Sequence, residues 1–136
     1  MRLLRSLSLA RNDISRRHNL KTILIVEDTE LNIDLLTQLL EDDYNLIVAK
    51  DGAQGVAMAN EHHPDLILMD ISLPIMDGYD ATRTIRKTLQ STPIIGLSAH
   101  AMQGDADRAK EAGCTHYMTK PVDVDLLMKK LNEYLT

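Results

Sequence analysis

The sequence predicts an α/β fold, a doubly wound parallel sheet of five strands, and three observations carry that expectation. From Lys21 onward, short β-branched apolar runs alternate with longer stretches of helical periodicity. The runs are apolar almost throughout rather than at every second residue, which is the pattern of strands covered on both faces. Gly52, Gly55, Pro64, Gly78, Pro93, Gly113 and Pro121 fall largely at the joints between the two kinds of segment.

The first run, TILIV (22–26), gives way to a leucine stripe at Leu31, Leu35 and Leu39 with Leu36 and Leu40 beside it, a strand followed by an amphipathic helix. LIV (46–48) precedes a helix from about Ala53, and DLILM (65–69) precedes one from about Tyr79. PIIGL (93–97) leads to a helix from about Ala101, with Gly113 suited to cap its C-terminus. HYM (116–118) is followed by a last helix whose Val124, Leu127, Leu131 and Leu135 share a stripe and which runs to Thr136. Any output is therefore expected from this domain's own surface. Right-handed crossovers between parallel strands leave few topologies, and a flavodoxin-like (βα)5 sheet of strand order 2-1-3-4-5 is the one expected.

A chain of 136 residues with 44% apolar and 26% charged residues has the composition of a soluble domain able to bury one core. It contains no apolar run of the roughly 18 residues a membrane span needs. A lone cysteine, Cys114, allows no internal disulfide, so a reducing cytoplasm is the expected compartment. The formal charge of −5 is uneven: residues 1–20 hold five Arg against one Asp, a net of +4, which leaves −9 for residues 21–136. So acidic a body gains little from phosphate backbones, and no DNA-binding domain is expected. Residues 1–20 read as a basic N-terminal extension to the folded domain at 21–136. They lack the continuous apolar block of a secretory signal; their Arg- and Ser-rich, acid-poor makeup is that of a transit peptide, although a flexible tail or a misplaced start codon is the favoured reading.

In open parallel sheets ligands bind beyond the carboxyl ends of the strands, so the residues that follow each apolar run are the informative ones. Strand one delivers Glu27 and Asp28, strand three Asp70, strand four Ser98, and strand five Lys120 before Pro121. Three carboxylates in one place repel one another unless a cation neutralises them, and an all-oxygen set favours a hard ion, Mg²⁺ being the natural candidate. Mg²⁺ takes few protein carboxylates and fills its shell with water and phosphate oxygens, which makes the cluster half of a phosphoryl-transfer site. Lys120 and Ser98 are suitable donors to the moving group. Asp70 can serve as nucleophile, since a carboxylate is already ionised at neutral pH and needs no general base.

IVED (25–28), DLILMDISLPIMDG (65–78), SAHAM (98–102) and YMTKP (117–121) together resemble the receiver domain of bacterial response regulators, the CheY-like fold, over about residues 21–136. The stretch from Ser98 to Leu127 is most similar to receivers of hybrid sensor kinases or to small stand-alone phosphorelay regulators. The resemblance implies that Asp70 is the phosphoacceptor, that Asp28, Asp70 and the backbone carbonyl of Ser72 bind Mg²⁺, and that Glu27 assists through water. It also implies that Lys120 pairs with phosphoryl oxygens, that Ser98 and Tyr117 switch and alter the face of the fourth helix, fifth strand and fifth helix, and that the Lys120–Pro121 bond is cis. Ser72 and His100, each two residues beyond a site residue, would tune the phosphate lifetime. The implied partners are a histidine kinase or histidine phosphotransfer protein and a downstream protein target; the oligomeric state stays open. Glu27 stands where Asp is commoner in the family, and Ser98 where Thr is, and neither change blocks the chemistry.

Blander roles exist for each residue alone. An acid at the end of a strand can cap a turn or a helix N-terminus, Ser98 can cap the helix expected from Ala101, and Tyr117 fits a packed aromatic as well as a switch. Histidines 62 and 63 read as a solvated loop, and Cys114 as a small, partly buried apolar residue. An aspartate-nucleophile phosphohydrolase needs a second Asp two residues after the first as its proton donor, where this chain has Ser72, so turnover of an external substrate is not expected. A flavin module would need a hydroxyl-rich phosphate loop where Glu27 and Asp28 stand. The serious alternative is a phosphorylation-independent, receiver-like adaptor that only docks to partners.

Overall fold

The computed structural model describes residues 19–99 and 104–136; most of the basic extension, and His100 with it, lie outside the described residues. Five strands and five helices alternate: β1 (Thr22–Val26), α1 (Glu30–Leu40), β2 (Asn45–Ala49), α2 (Gly52–His62), β3 (Leu66–Asp70), α3 (Gly78–Arg86), β4 (Ile94–Ser98), α4 (Asp105–Ala112), β5 (His116–Thr119) and α5 (Val124–Leu135). The strands pair in parallel in the order β2-β1-β3-β4-β5, the doubly wound sheet expected from the alternation.

Successive strand residues point to opposite faces. Leu24, Val26, Ile67, Met69 and Ile94 pack with Ala59 of α2, Ala81 and Ile85 of α3, and Ala109 and Ala112 of α4. Ile23, Ile25, Leu66, Leu68, Ile95 and Leu97 pack on the other face with Leu36 and Leu40 of α1 and Leu127 and Leu131 of α5. Burial on both faces is why the strands read as continuous apolar runs.

Three local expectations need correction. The buried stripe of α1 is Ile33, Leu36 and Leu40, whereas Leu31 and Leu35 are 66% and 56% exposed. The fourth helix begins at Asp105 behind Gly104, whose φ is 91°, so Ser98 ends β4 and does not cap α4; positions 101–103 lie outside the described residues. Of the two histidines expected in a solvated loop, His62 is the last residue of α2, while His63, exposed and left-handed, lies just past the helix as its C-cap. Gly113 does cap α4, with φ 112° and its N–H donated to the carbonyls of Ala109 and Lys110.

Two glycines set the loop between β3 and α3. A Cβ on Gly78 would run into the Asp70 carbonyl oxygen and come within 2.7 Å of Ile71 Cα, and one on Gly52 would strike the backbone at Met76. Only residues without side chains let the loop lie flat against the end of β3. At the opposite end of the sheet, Arg86 donates to the carbonyls of Gly113 (2.8 Å), Leu89 (3.0 Å) and Thr92 (2.6 Å), joining α3 to the starts of β4 and β5.

Candidate functional site

The parallel registers bring the last residues of β1, β3, β4 and β5 to one edge of the sheet. Asp70 is the final residue of β3 rather than the residue after it, and only 4% of it is exposed. Glu27, just past β1, is 1% exposed, while Asp28 beside it faces solvent. Carboxylate oxygens of Glu27, Asp28 and Asp70 all lie within 4.8 Å of one another.

Lys120, just past β5, reaches into this acidic pair. Its Nζ donates to Glu27 Oε1 at 2.7 Å and lies 3.3 Å from Asp70 Oδ1. The second oxygen of Glu27 accepts the backbone N–H groups of Asp28 (3.0 Å) and Thr29 (3.2 Å). Glu27 is thus tied on both oxygens, a geometry that leaves it to position neighbours. Asp70 Oδ1 also accepts the Ser72 N–H at 3.2 Å, which orients the carboxylate. The backbone N–H of Lys120 donates to the Ser98 carbonyl at 2.7 Å, fixing the lysine to the end of β4, and the Lys120–Pro121 peptide bond is cis.

The charges set the protonation states. Burial first, then the hydrogen bond and charge of Glu27, push the Asp70 carboxyl up to about 6, against the downward pull of Lys120 and the Ser72 N–H. Glu27 moves the other way: burial pushes it up, but its hydrogen bonds to Lys120, Asp70 and Thr29, with the Lys120 charge, together hold it below its ordinary value. Lys120 is raised: burial opposes its charge, but the two carboxylates prevail.

Ser98 is buried at the end of β4, paired in register with Thr119. Tyr117 is half-buried against the cluster on the α4 face, opposite Gly96 of β4, where a Cβ would come within 3.3 Å of Cys114 Sγ and Ile71 Cδ1. Cys114 is buried in the same cluster, its thiol raised by burial. The structure thus gathers Glu27, Asp28, Asp70, Ser72, Ser98 and Lys120 at one edge and sets Tyr117 behind it, with His100 outside the described residues. Sequence reasoning missed Gly52 and Gly78 as supports of the acidic loop, and Thr82, buried under it with its hydroxyl on the Gly78 carbonyl at 2.7 Å. Only the position of Gly52 and Gly78 at joints between strand and helix patterns offered a signal for them.

A family model described as the response regulator receiver domain matches residues 23–132. The chain belongs to the response regulator receiver family. Among curated relatives, this receiver is 40% identical over 118 residues to the polar-differentiation response regulator DivK of Brucella ovis, covering 85% of this chain and 96% of that one. The receiver domain of the sensor histidine kinase PA1611 from Pseudomonas aeruginosa, solved with a magnesium ion coordinated in its active site cleft, superposes with a TM-score of 0.78 at 37% identity, over 85% of this chain and 97% of that one. A chain of the co-crystal structure of the Saccharomyces cerevisiae phosphotransfer protein Ypd1 and the Ssk1 receiver domain superposes with a TM-score of 0.79 at 31% identity, over 85% and 88% of the two chains. No helix among the described residues is long and apolar enough to cross a membrane.

Proposed function

We propose that this receiver takes a phosphoryl group onto Asp70 from the phosphohistidine of a histidine kinase or histidine phosphotransfer protein, in a Mg²⁺-dependent step, and signals through its α4–β5–α5 face. The observation that carries the reading is the packing of buried Asp70 against Glu27, with Lys120 bridging the two carboxylates at the sheet edge. Burying like charges side by side destabilises a fold, so such a cluster points to function. Three carboxylates against one ammonium leave a formal charge of −2, and an all-oxygen donor set of that charge fits a hard divalent cation. Asp28, Asp70 and the Ser72 carbonyl are the groups that would hold it. Bound there, Mg²⁺ would neutralise charge on the phosphoryl oxygens.

A carboxylate oxygen of Asp70 attacks phosphorus, the P–O bond forms as the P–N bond to histidine breaks, and the bond's electron pair returns to the imidazole, which takes up a proton. Lys120 sits within reach of Asp70 Oδ1 and moves with the charge from carboxylate to phosphoryl oxygen. The buried hydroxyl of Ser98 donates to another phosphoryl oxygen, and Tyr117 repacks behind it, shifting the α4–β5–α5 face toward its active population. Ser72 and His100 tune the approach of water, and Ser72→Asn and His100→Ala are expected to change the dephosphorylation rate. With no second acid at position 72, the cycle ends in self-dephosphorylation and not in turnover of an external substrate. The magnesium of the PA1611 receiver and the Ypd1–Ssk1 pairing support the metal and the class of partner, and a buried free Cys114 suits a reducing cytoplasm.

Intact-mass analysis after incubation with a small phosphodonor and Mg²⁺ tests the reading, with Asp70→Asn and a chelated sample as controls. One added phosphoryl group, absent from both controls, is expected. Folded protein that binds Mg²⁺ and gains no mass from any donor would leave the phosphorylation-independent adaptor in its place.

A further inference from the structure

The outer surface of α1 carries exposed Leu31 and Leu35, and the start of α5 carries exposed Val124 and Leu126. Between the two helices runs a groove of about 290 Å³ walled by Leu35, Leu39, Leu97, Pro121, Val122 and Val124, with Glu27 and Lys120 at its polar end. An exposed apolar groove with a polar end is a surface to which an apolar segment can dock.

Residues 1–18 have the composition to supply one. Leu3, Leu4, Leu7 and Leu9 lie among Arg2, Arg5 and Arg11, with Arg16 and Arg17 following. Residues 1–20 carry +4, as five Arg less one Asp, against −9 in the rest of the chain. Acids stand along both helices that form the groove: Glu30, which pairs with Lys50, and Asp34 on α1, and Asp123 and Asp125 at the start of α5. The reach is ample. The Leu20 carbonyl accepts from Asn45 Nδ2 at the start of β2, which puts the described chain's beginning at the end of the sheet where α1 finishes. From there the site edge is one strand length away, about 17 Å, whereas residues 10–19 can span about 33 Å. Tethering sets an effective concentration on the order of millimolar, so a weak contact suffices.

We propose that the groove between α1 and α5 docks residues 3–9 of its own chain, leucines against its apolar wall and arginines over the flanking acids. The inference stands on groove, charge and reach, and does not depend on the phosphoryl-acceptor reading.

Paramagnetic relaxation in the full chain tests it. A nitroxide is attached at Ser6→Cys in a Cys114→Ser background, and amide intensities are compared with the reduced label. Loss of intensity at Leu35, Leu39 and Val124, with Gln54 of α2 and Asp107 of α4 unaffected, is expected. The loss should weaken in high salt, which screens the arginine contacts. It should vanish when exposed Leu35 is changed to Asp, or when Leu3, Leu4, Leu7 and Leu9 are changed together to Ser. Undiminished groove intensities, broadening spread evenly over both faces, or broadening transferred from labelled to isotope-labelled chains in a mixed sample would each overturn the proposal, the last by making the occupant a second copy.

Discussion

Replacing Asp70 with asparagine is expected to stabilise the metal-free protein at neutral pH. The Asp70 carboxyl is raised from 3.8 to about 6 by burial and by Glu27, so ionising it in the fold costs about 3 kcal/mol more than in the unfolded chain. The native state holds a proton between about pH 4 and 6 that the unfolded state releases, so this group's contribution falls as pH rises through that window. Glu27 and Lys120 contribute with the opposite sense: depressed Glu27 stabilises above its unfolded value, and raised Lys120 stabilises below its own. Asparagine removes the charge and keeps an acceptor for the Ser72 N–H, but costs Lys120 one of its two carboxylates. A net gain of about 2 kcal/mol remains, or about 8 °C in Tm for a domain of this size. Thermal and urea unfolding of both proteins at pH 7.5 and pH 4, with and without Mg²⁺, measure it. The gain should disappear at pH 4, and Mg²⁺ should stabilise the parent and not the variant. An Asp70→Asn protein no more stable than the parent at pH 7.5, or equally advantaged at pH 4, would refute the electrostatic account.

Lys120→Met keeps the length of the side chain and leaves Glu27 and Asp70 facing each other uncompensated. A loss of about 3 kcal/mol at pH 7.5, shrinking as pH falls toward 4, is expected in urea titrations. Ile75 is exposed in the β3–α3 loop at φ 69°, a left-handed conformation costly for a β-branched residue. Ile75→Gly should therefore stabilise by about 1 kcal/mol, read as a raised urea midpoint at unchanged slope. Arg86→Met removes the donor shared by three main-chain carbonyls at the end of the sheet away from the site, and should cost about 2 kcal/mol of stability while leaving phosphoryl uptake intact.

The sheet was legible because double-sided burial writes itself into the strands as unbroken apolar runs, and the site was legible because Asp70, Ser98 and Lys120 stand at the ends of those runs. Which stripe of α1 turns inward was not legible. Leu31 and Leu35 are as apolar as Ile33 and Leu36, and the choice between them lies in how the helix rotates on the sheet. Ser98 looked like a cap because serine before a helical pattern has that meaning locally, and only the left-handed Gly104 reveals that α4 begins later. Arg86 gave no signal, since three of its partners are main-chain carbonyls that any residue would offer and the fourth is the hydroxyl of Thr115. Nor does the sequence display the tie between Glu27 and Lys120, which are 93 positions apart.

That separation ties chemical competence to completion of the chain. Glu27 emerges from synthesis with the first strand and Lys120 only after the last, so a chain that ends before β5 lacks the cation that bridges Glu27 and Asp70. On the proposed phosphoryl-acceptor reading, a chain cut before β5 would lack the cation that this site sets beside Asp70, so phosphoryl uptake would depend on both ends of the domain having met.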